Sequence, residues 1–189
     1  DAFDGVIIGN EVLDAMASEV MRWTEHGIEQ MGVSIVDEQF TWSQRPVSDE
    51  RILTEALRIQ PDKQPYTSEL HLNQTAFIAT LAQKLTRGAI IMIDYGFDEA
   101  QYYHPQRSMG TLIGHYRHHV VDDPFFWPGL MDLTCHVNFT AMAQAAVDND
   151  LDLIGYTSQA HFLFNLGITE VLLAEHPDVN SKAYLQAAS

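Results

Sequence analysis

An α/β fold built on parallel strands is expected from three features of the sequence. Two apolar runs, Val6-Ile7-Ile8 and Ala89-Ile90-Ile91-Met92-Ile93, each end in polar residues, as strands covered on both faces do. The stretch ahead of the second run has helical periodicity, and helix followed by apolar strand suggests a parallel βαβ arrangement. Residues 19–47 have a different texture, with β-formers split by turn signals at His26-Gly27 and Asp37-Glu38. They read as a small antiparallel meander inserted on the main sheet.

Taken in order, the first strand ends at Gly9-Asn10-Glu11, and Val12, Leu13 and Met16 then show the spacing of a short helix. In the meander, Trp23, Phe40 and Trp42 suggest a local packing cluster rather than a ligand box. Ser48 is placed to cap a helix over Glu50 to Ile59, with Asp49 and Glu50 favourable to its dipole. A second helix is expected from about Glu69 to Arg87, with Leu70, Phe77, Ile78, Leu81 and Leu85 on one face and Gly88 at its C-terminal cap. The second strand then ends in Asp94-Tyr95-Gly96. Residues 97–138 read as loop-rich and hold many of the aromatics and histidines. Thr140 to Val147 is helical in pattern, Leu151 to Ile154 is a third strand candidate, and Gln159 to Leu166 another helix. The tail after His176 has little periodicity.

The 189 residues suffice for one domain with a hydrophobic core, and 46% apolar residues exclude wholesale disorder. The formal net charge of −16 repels phosphate backbones and anionic membranes, so neither nucleic acid nor a membrane is an expected partner. It suits a basic protein or peptide, although a purely solubilising surface would carry the same charge. The single cysteine, Cys135, excludes an internal disulfide and a multi-cysteine zinc site. The longest apolar run is too short to span a bilayer.

Several strings resemble, in register, the MidA family of class I methyltransferases. They are Gly9-Asn10-Glu11-Val12-Leu13-Asp14-Ala15, Tyr66-Thr67-Ser68-Glu69, Ile93-Asp94-Tyr95-Gly96 and Tyr102-Tyr103-His104-Pro105-Gln106-Arg107. Gly110-Thr111-Leu112, Pro128-Gly129 with Asp132-Leu133-Thr134, and Gly155-Tyr156 with Ser158-Gln159-Ala160 complete the set. The chain departs from the family pattern at Ala17, where proline is usual, and at Asn138, where aspartate is.

The resemblance implies a Rossmann-like class I methyltransferase sheet, S-adenosyl-L-methionine as methyl donor and methylation of protein arginine. Mitochondrial members act as assembly factors for respiratory complex I, so a non-catalytic assembly chaperone is the alternative. The implied compartment is the bacterial cytoplasm or the mitochondrial matrix. Residues 1–175 are expected to form the C-terminal half of the methyltransferase domain, with 19–47 as the β insertion and 176–189 as a tail. No Gly-x-Gly string occurs, and on the family layout the glycine-rich cofactor loop precedes Asp1. The chain therefore reads as truncated, with an open sheet edge that would favour a homodimer.

The chemistry narrows the candidates. Ligands of open α/β sheets sit beyond the carboxyl ends of the strands, which makes Asn10 and Glu11 candidates for cofactor binding. An arginine substrate needs carboxylates that grip the guanidinium fork, and Glu11 and Asp14 are the candidates for catalysis. Glu11 could instead serve only as an acid at a helix start. Asp94, Tyr95, Asp132, Thr134 and Gln159 are candidates for substrate binding, although Asp94 could simply cap a turn, Asp132 could satisfy backbone amides and Gln159 could cap its helix. Glu69 reads as a helix cap. His115, His118 and His119 would share one face if helical, but methyl transfer from a sulfonium needs no metal and none is expected.

Overall fold

The structure is a computed structural model that describes residues 2–187. The chain divides into two compact units, Asp1–Leu153 and Ile154–Ser189. The first begins with β1 (Phe3–Asn10), β2 (Glu19–Thr24), β3 (Gly27–Val36), β4 (Gln39–Pro46), α1 (Glu50–Ile59), β5 (Tyr66–Leu70), α2 (Leu72–Lys84) and β6 (Leu85–Ile93). It continues with β7 (Gly96–Phe97), α3 (Glu99–Tyr102), β8 (Ile113–Tyr116), β9 (His119–Val121), β10 (Asp132–Thr134), β11 (Val137–Asn138) and α4 (Phe139–Val147). The second unit holds α5 (Gln159–Asn165), α6 (Ile168–Glu175) and α7 (Lys182–Ala187), the last within the tail of little periodicity.

The expected parallel pair is present as β1 against β6, from Asp4 opposite Arg87 to Asn10 opposite Ile93. It is less covered than the apolar runs suggest: Val6 is 62% and Ile8 66% exposed, on one face of the pair. The opposite face packs through Gly9 under Met92 and Val12. Gly88 sits inside β6 rather than at a helix end. Its φ is 146°, and a Cβ there would stand 1.7 Å from the Gly5 carbonyl oxygen, so the close approach of β1 requires glycine.

The meander forms as expected and recruits a further strand, giving the antiparallel order β4-β3-β2-β5. That pairing corrects the expected helix start. Leu70 continues the helical spacing of α2, but the edge of β2 draws Tyr66 to Leu70 into the ladder, with Val20 opposite Glu69. The helix, α2, begins only at Leu72. Ser48 does not cap α1 either; Asp49 does, its Oδ1 accepting from Arg51 N at 2.8 Å. The expected aromatic cluster separates into two. Trp23 is buried with Met21, Ile52, Ala56, Tyr66 and Leu70, and its Nε1 donates to Ala56 O at 2.9 Å. Phe40 and Trp42 lie on the surface against Phe125.

Three further expectations fail. Val12 to Met16 is not a helix, because the Asp94 carboxylate captures the Leu13 and Asp14 amides. Residues 97–138 are not merely loop, since short strands β7 to β11 pair within them. Leu151 to Ile154 is coil, with no ladder partner among the described residues. A second core, of Leu13, Ile78, Val137 and Met142, packs α2 and α4 beneath the strand ends. No helix among the described residues is long and apolar enough to cross a membrane.

His71, at the head of α2, is 4% exposed, lies edge-on to Tyr102 at 5.0 Å, and has no hydrogen-bond partner at either ring nitrogen. Burial pushes its pKa down to about 4. Above the ordinary imidazole pKa of about 6.5 the group is neutral in both folded and unfolded chains and stability does not change with its titration. Below it the unfolded chain takes up a proton that the fold refuses, so stability falls by about 3 kcal/mol between pH about 6.5 and about 4. His71→Phe should lose less melting temperature than the parent when both are taken from neutral pH to pH about 4.5. Equal losses would dismiss His71 as the acid-sensitive group.

Candidate active site at the carboxyl ends of the parallel strands

β1 and β6 end side by side, and the chain leaves β1 through a tight loop. Glu11 adopts a left-handed φ of 50°, and its amide donates to Ile93 O at 2.9 Å. Asp94, at the end of β6, holds that loop in place. Its Oδ2 accepts from the Leu13 and Asp14 amides at 3.0 and 3.3 Å, and its Oδ1 from the Tyr95 amide at 3.0 Å. Burial, and then the neighbouring Asp14 charge, raise the Asp94 pKa. Its oxygens are engaged by backbone, so Asp94 shapes the site without lining it.

Beyond the loop opens a cleft of about 520 Å³ lined by Glu11, Asp14, Tyr95, Ile113, Asp132, Thr134 and His136, among others. The structure thus brings together five of the residues singled out from sequence. Asn10 is exposed one position before the lining. Gln159 belongs to the second unit, at the start of α5, where Ser158 rather than Gln159 is the cap, its Oγ accepting from His161 N at 3.3 Å.

At the cleft floor Asp14 is 3% exposed. Its Oδ2 accepts from the Tyr95 hydroxyl, while its Oδ1 has no hydrogen-bond partner. A carboxylate oxygen left unpaired in a buried position costs free energy, and such atoms mark places where a donor is meant to arrive. Desolvation, and then the bond to Asp14, push the Tyr95 pKa up to about 12, so the phenol stays protonated and keeps donating. The Asp14 carbonyl is itself tied down by the Cys135 amide at 3.0 Å. Burial pushes the Cys135 thiol up to about 12, which excludes it as a thiolate nucleophile.

The other wall depends on residues that sequence reasoning did not place here. The Thr111 hydroxyl accepts from the His136 amide at 3.0 Å, and the imidazole stacks on Phe97 with centroids 5.1 Å apart. Burial first, and Arg107 second, lower the His136 pKa, favouring the neutral ring. Glu69 underlies this wall. It is 1% exposed and accepts from Tyr102 Oη at 2.7 Å, Thr111 N at 2.9 Å and Leu112 N at 2.9 Å. The signal was present in the sequence: Glu69 ends one of the family-like strings, and its partners lie in two others. The three histidines share no helical face. His115 is in β8, His119 in β9, and Arg117-His118 make the two-residue turn at φ 49° and 64°. Among the described residues no His, Cys, Asp and Glu cluster is placed to hold a metal ion.

Residues 1–157 match a family described as "Putative S-adenosyl-L-methionine-dependent methyltransferase". The chain is similar to the zebrafish (Danio rerio) "Protein arginine methyltransferase NDUFAF7, mitochondrial", at 29% identity over 185 residues, 90% of this chain and 40% of that protein. It is also similar to a crystal structure from Burkholderia thailandensis described as a "likely methyl transferase" bound to S-adenosyl-homocysteine. That likeness has a TM-score of 0.87 and 45% identity, and covers 93% of this chain and 46% of the other. A second structure from the same organism, of an uncharacterized protein, has a TM-score of 0.91 and 44% identity, covering 99% of this chain and 50% of the other. The chain therefore spans half the length of these relatives or less.

Proposed function

The chain belongs to this methyltransferase family, and we propose on that premise that its cleft aligns an arginine side chain of a protein for methyl transfer from S-adenosyl-L-methionine. The observation that carries the reading is the buried Asp14, with one oxygen held by Tyr95 and the other unpaired beneath the cleft. A guanidinium is a planar cation with five N–H donors, and an unpaired carboxylate oxygen in a partly dry site suits it far better than a neutral group would.

The residues present also fit the cofactor in charge: its sulfonium is a cation, and the cleft offers Glu11 and Asp14 with no lysine or arginine among its lining residues. Asn10 and Glu11, at the carboxyl end of β1, are the residues of this chain that would hold it. When bound, that group supplies an electrophilic methyl carbon on sulfur. The chain's own residues do the rest. Asp94 fixes the 11–14 loop, Tyr95 fixes the Asp14 carboxylate, and Asp14 Oδ1 takes a guanidinium N–H and is placed to receive the proton lost on methylation. Glu11, exposed at the rim, offsets the charge of the incoming cation. Holding both reactants in line is the main source of rate in such a displacement. On this reading the β1–β6 pair is part of a Rossmann-like sheet, and Thr134 and Asp132 border the substrate path.

Glu11→Gln in the full-length protein should lower the methylation rate by about ten- to a hundredfold, the worth of a charge-assisted hydrogen bond. An unchanged rate, measured as transfer of a labelled methyl group, removes Glu11 from the mechanism. Calorimetric titration of S-adenosylhomocysteine into the full-length protein should give micromolar binding; no binding would overturn the methyl-transfer reading itself.

A further inference from the structure

The apolar surface of the β3–β4 hairpin has no part in the proposed methyl transfer, yet it leads to the cleft. Val33 stands opposite Trp42 and Ile35 opposite Phe40, so these four side chains share one face of the hairpin. All are exposed, Ile35 to 69%. One ring packs on that face, Phe125, with centroids 5.1 Å from Trp42 and 6.3 Å from Phe40. Phe125 belongs to the 122–131 segment between β9 and β10, and both ends of that segment are at the cleft, where Val120 and Asp132 line the wall. The same segment exposes Phe126, Trp127 and Leu130. Exposed apolar side chains gathered in this way beside a site are what an interaction surface looks like.

Charge selects the occupant. From Gly27 to Trp42 and from Asp122 to His136 there is no lysine or arginine, while Glu29, Asp37, Glu38, Asp122, Asp123 and Asp132 are all there. An acidic margin around an aromatic strip repels nucleic acid and anionic lipid. It also disfavours a second copy of this chain, because an isologous contact would set those acids against their own equivalents. Resting on the reading of the cleft as a protein-methylating site, we propose that the β3–β4 hairpin and the 122–131 segment form a docking strip for a basic polypeptide with apolar side chains flanking its arginines. Phe40 and Trp42 anchor it and the acids of the margin attract it.

The probe is a fluorescein-labelled synthetic peptide that alternates arginine with valine and phenylalanine, titrated into the full-length protein and followed by anisotropy. The Phe40→Ser, Trp42→Ser double variant should bind at least tenfold more weakly. The Asp122→Asn, Asp123→Asn double variant should lose affinity severalfold at low salt and show a flatter salt dependence. S-adenosylhomocysteine titration and thermal melting, unchanged in both, establish that the variants are folded. The proposal is overturned if the parent does not bind the peptide, or if the serine variant binds within twofold of the parent. It is equally overturned if light scattering shows a parent dimer that the serine variant dissolves. Because the readout is binding, a protein that docks the peptide without methylating it refutes the reading of the cleft alone. One that methylates with no dependence on Phe40 and Trp42 refutes the strip alone.

Discussion

Asp14→Asn in the full-length protein is expected to lower methyl transfer by about 10²- to 10³-fold, the usual loss when one preorganised charged partner is removed from a reacting centre. The substitution is nearly isosteric, and the Asn carbonyl can still accept from the Tyr95 hydroxyl that now holds Asp14. The loop geometry also survives, because Leu13 and Asp14 are held through their amides by Asp94, not through the Asp14 side chain. What disappears is the negative charge and the capacity of Oδ1 to take a proton. The rate loss should therefore fall on kcat, with S-adenosylhomocysteine affinity and melting temperature close to those of the parent. Tyr95→Phe removes only the hydroxyl that orients Asp14, and is expected to cost less than Asp14→Asn. An Asp14→Asn protein that keeps a third or more of the parental rate would remove the central residue of the proposal.

The parallel pair and the meander were legible because their signals are local: apolar runs for β1 and β6, turn residues at His26-Gly27 and Asp37-Glu38 for the hairpins. Five cleft residues were legible because all lie in family-like strings, and Glu11 and Tyr95 stand at the ends of the two apolar strands as well. What was missed depends on pairing between distant segments. Tyr66 to Leu70 is a strand only because β2 offers it an edge, and Val12 to Met16 is a turn only because an aspartate some eighty residues on captures its amides. No period in the sequence encodes either event. His136 was passed over for a related reason. Its place in the site is set by Phe97 and Thr111, and although Thr111 lies in a family-like string, nothing in that string says which amide its hydroxyl will hold.

The same reasoning makes Glu69 the position of largest expected effect on stability. Read as a cap, Glu69→Ala would cost about 1 kcal/mol. In the structure it is the acceptor for four donors on two other segments: the Tyr102 hydroxyl, the Thr111 amide and hydroxyl, and the Leu112 amide. Its oxygen also lies where a Cβ on Gly110 would come within 2.3 Å, so that turn is shaped around the carboxylate. Removing it leaves buried donors unpaired, each costing about 1–3 kcal/mol, so the loss of all four bonds is expected to cost about 3 kcal/mol or more. For a chain of this size that is a fall in melting temperature of about 6 °C or more. Tyr102→Phe alone should cost less, and adding it to Glu69→Ala should cost little further, because the two share one bond. A drop of only a degree or two in Glu69→Ala, or full additivity with Tyr102→Phe, would return Glu69 to a peripheral role. The link to the cleft is then testable at a temperature where the variant is folded. Thr111 both bonds Glu69 and holds the His136 amide, so loosening the turn should misplace the His136 wall and weaken methyl transfer beyond what the lost stability explains.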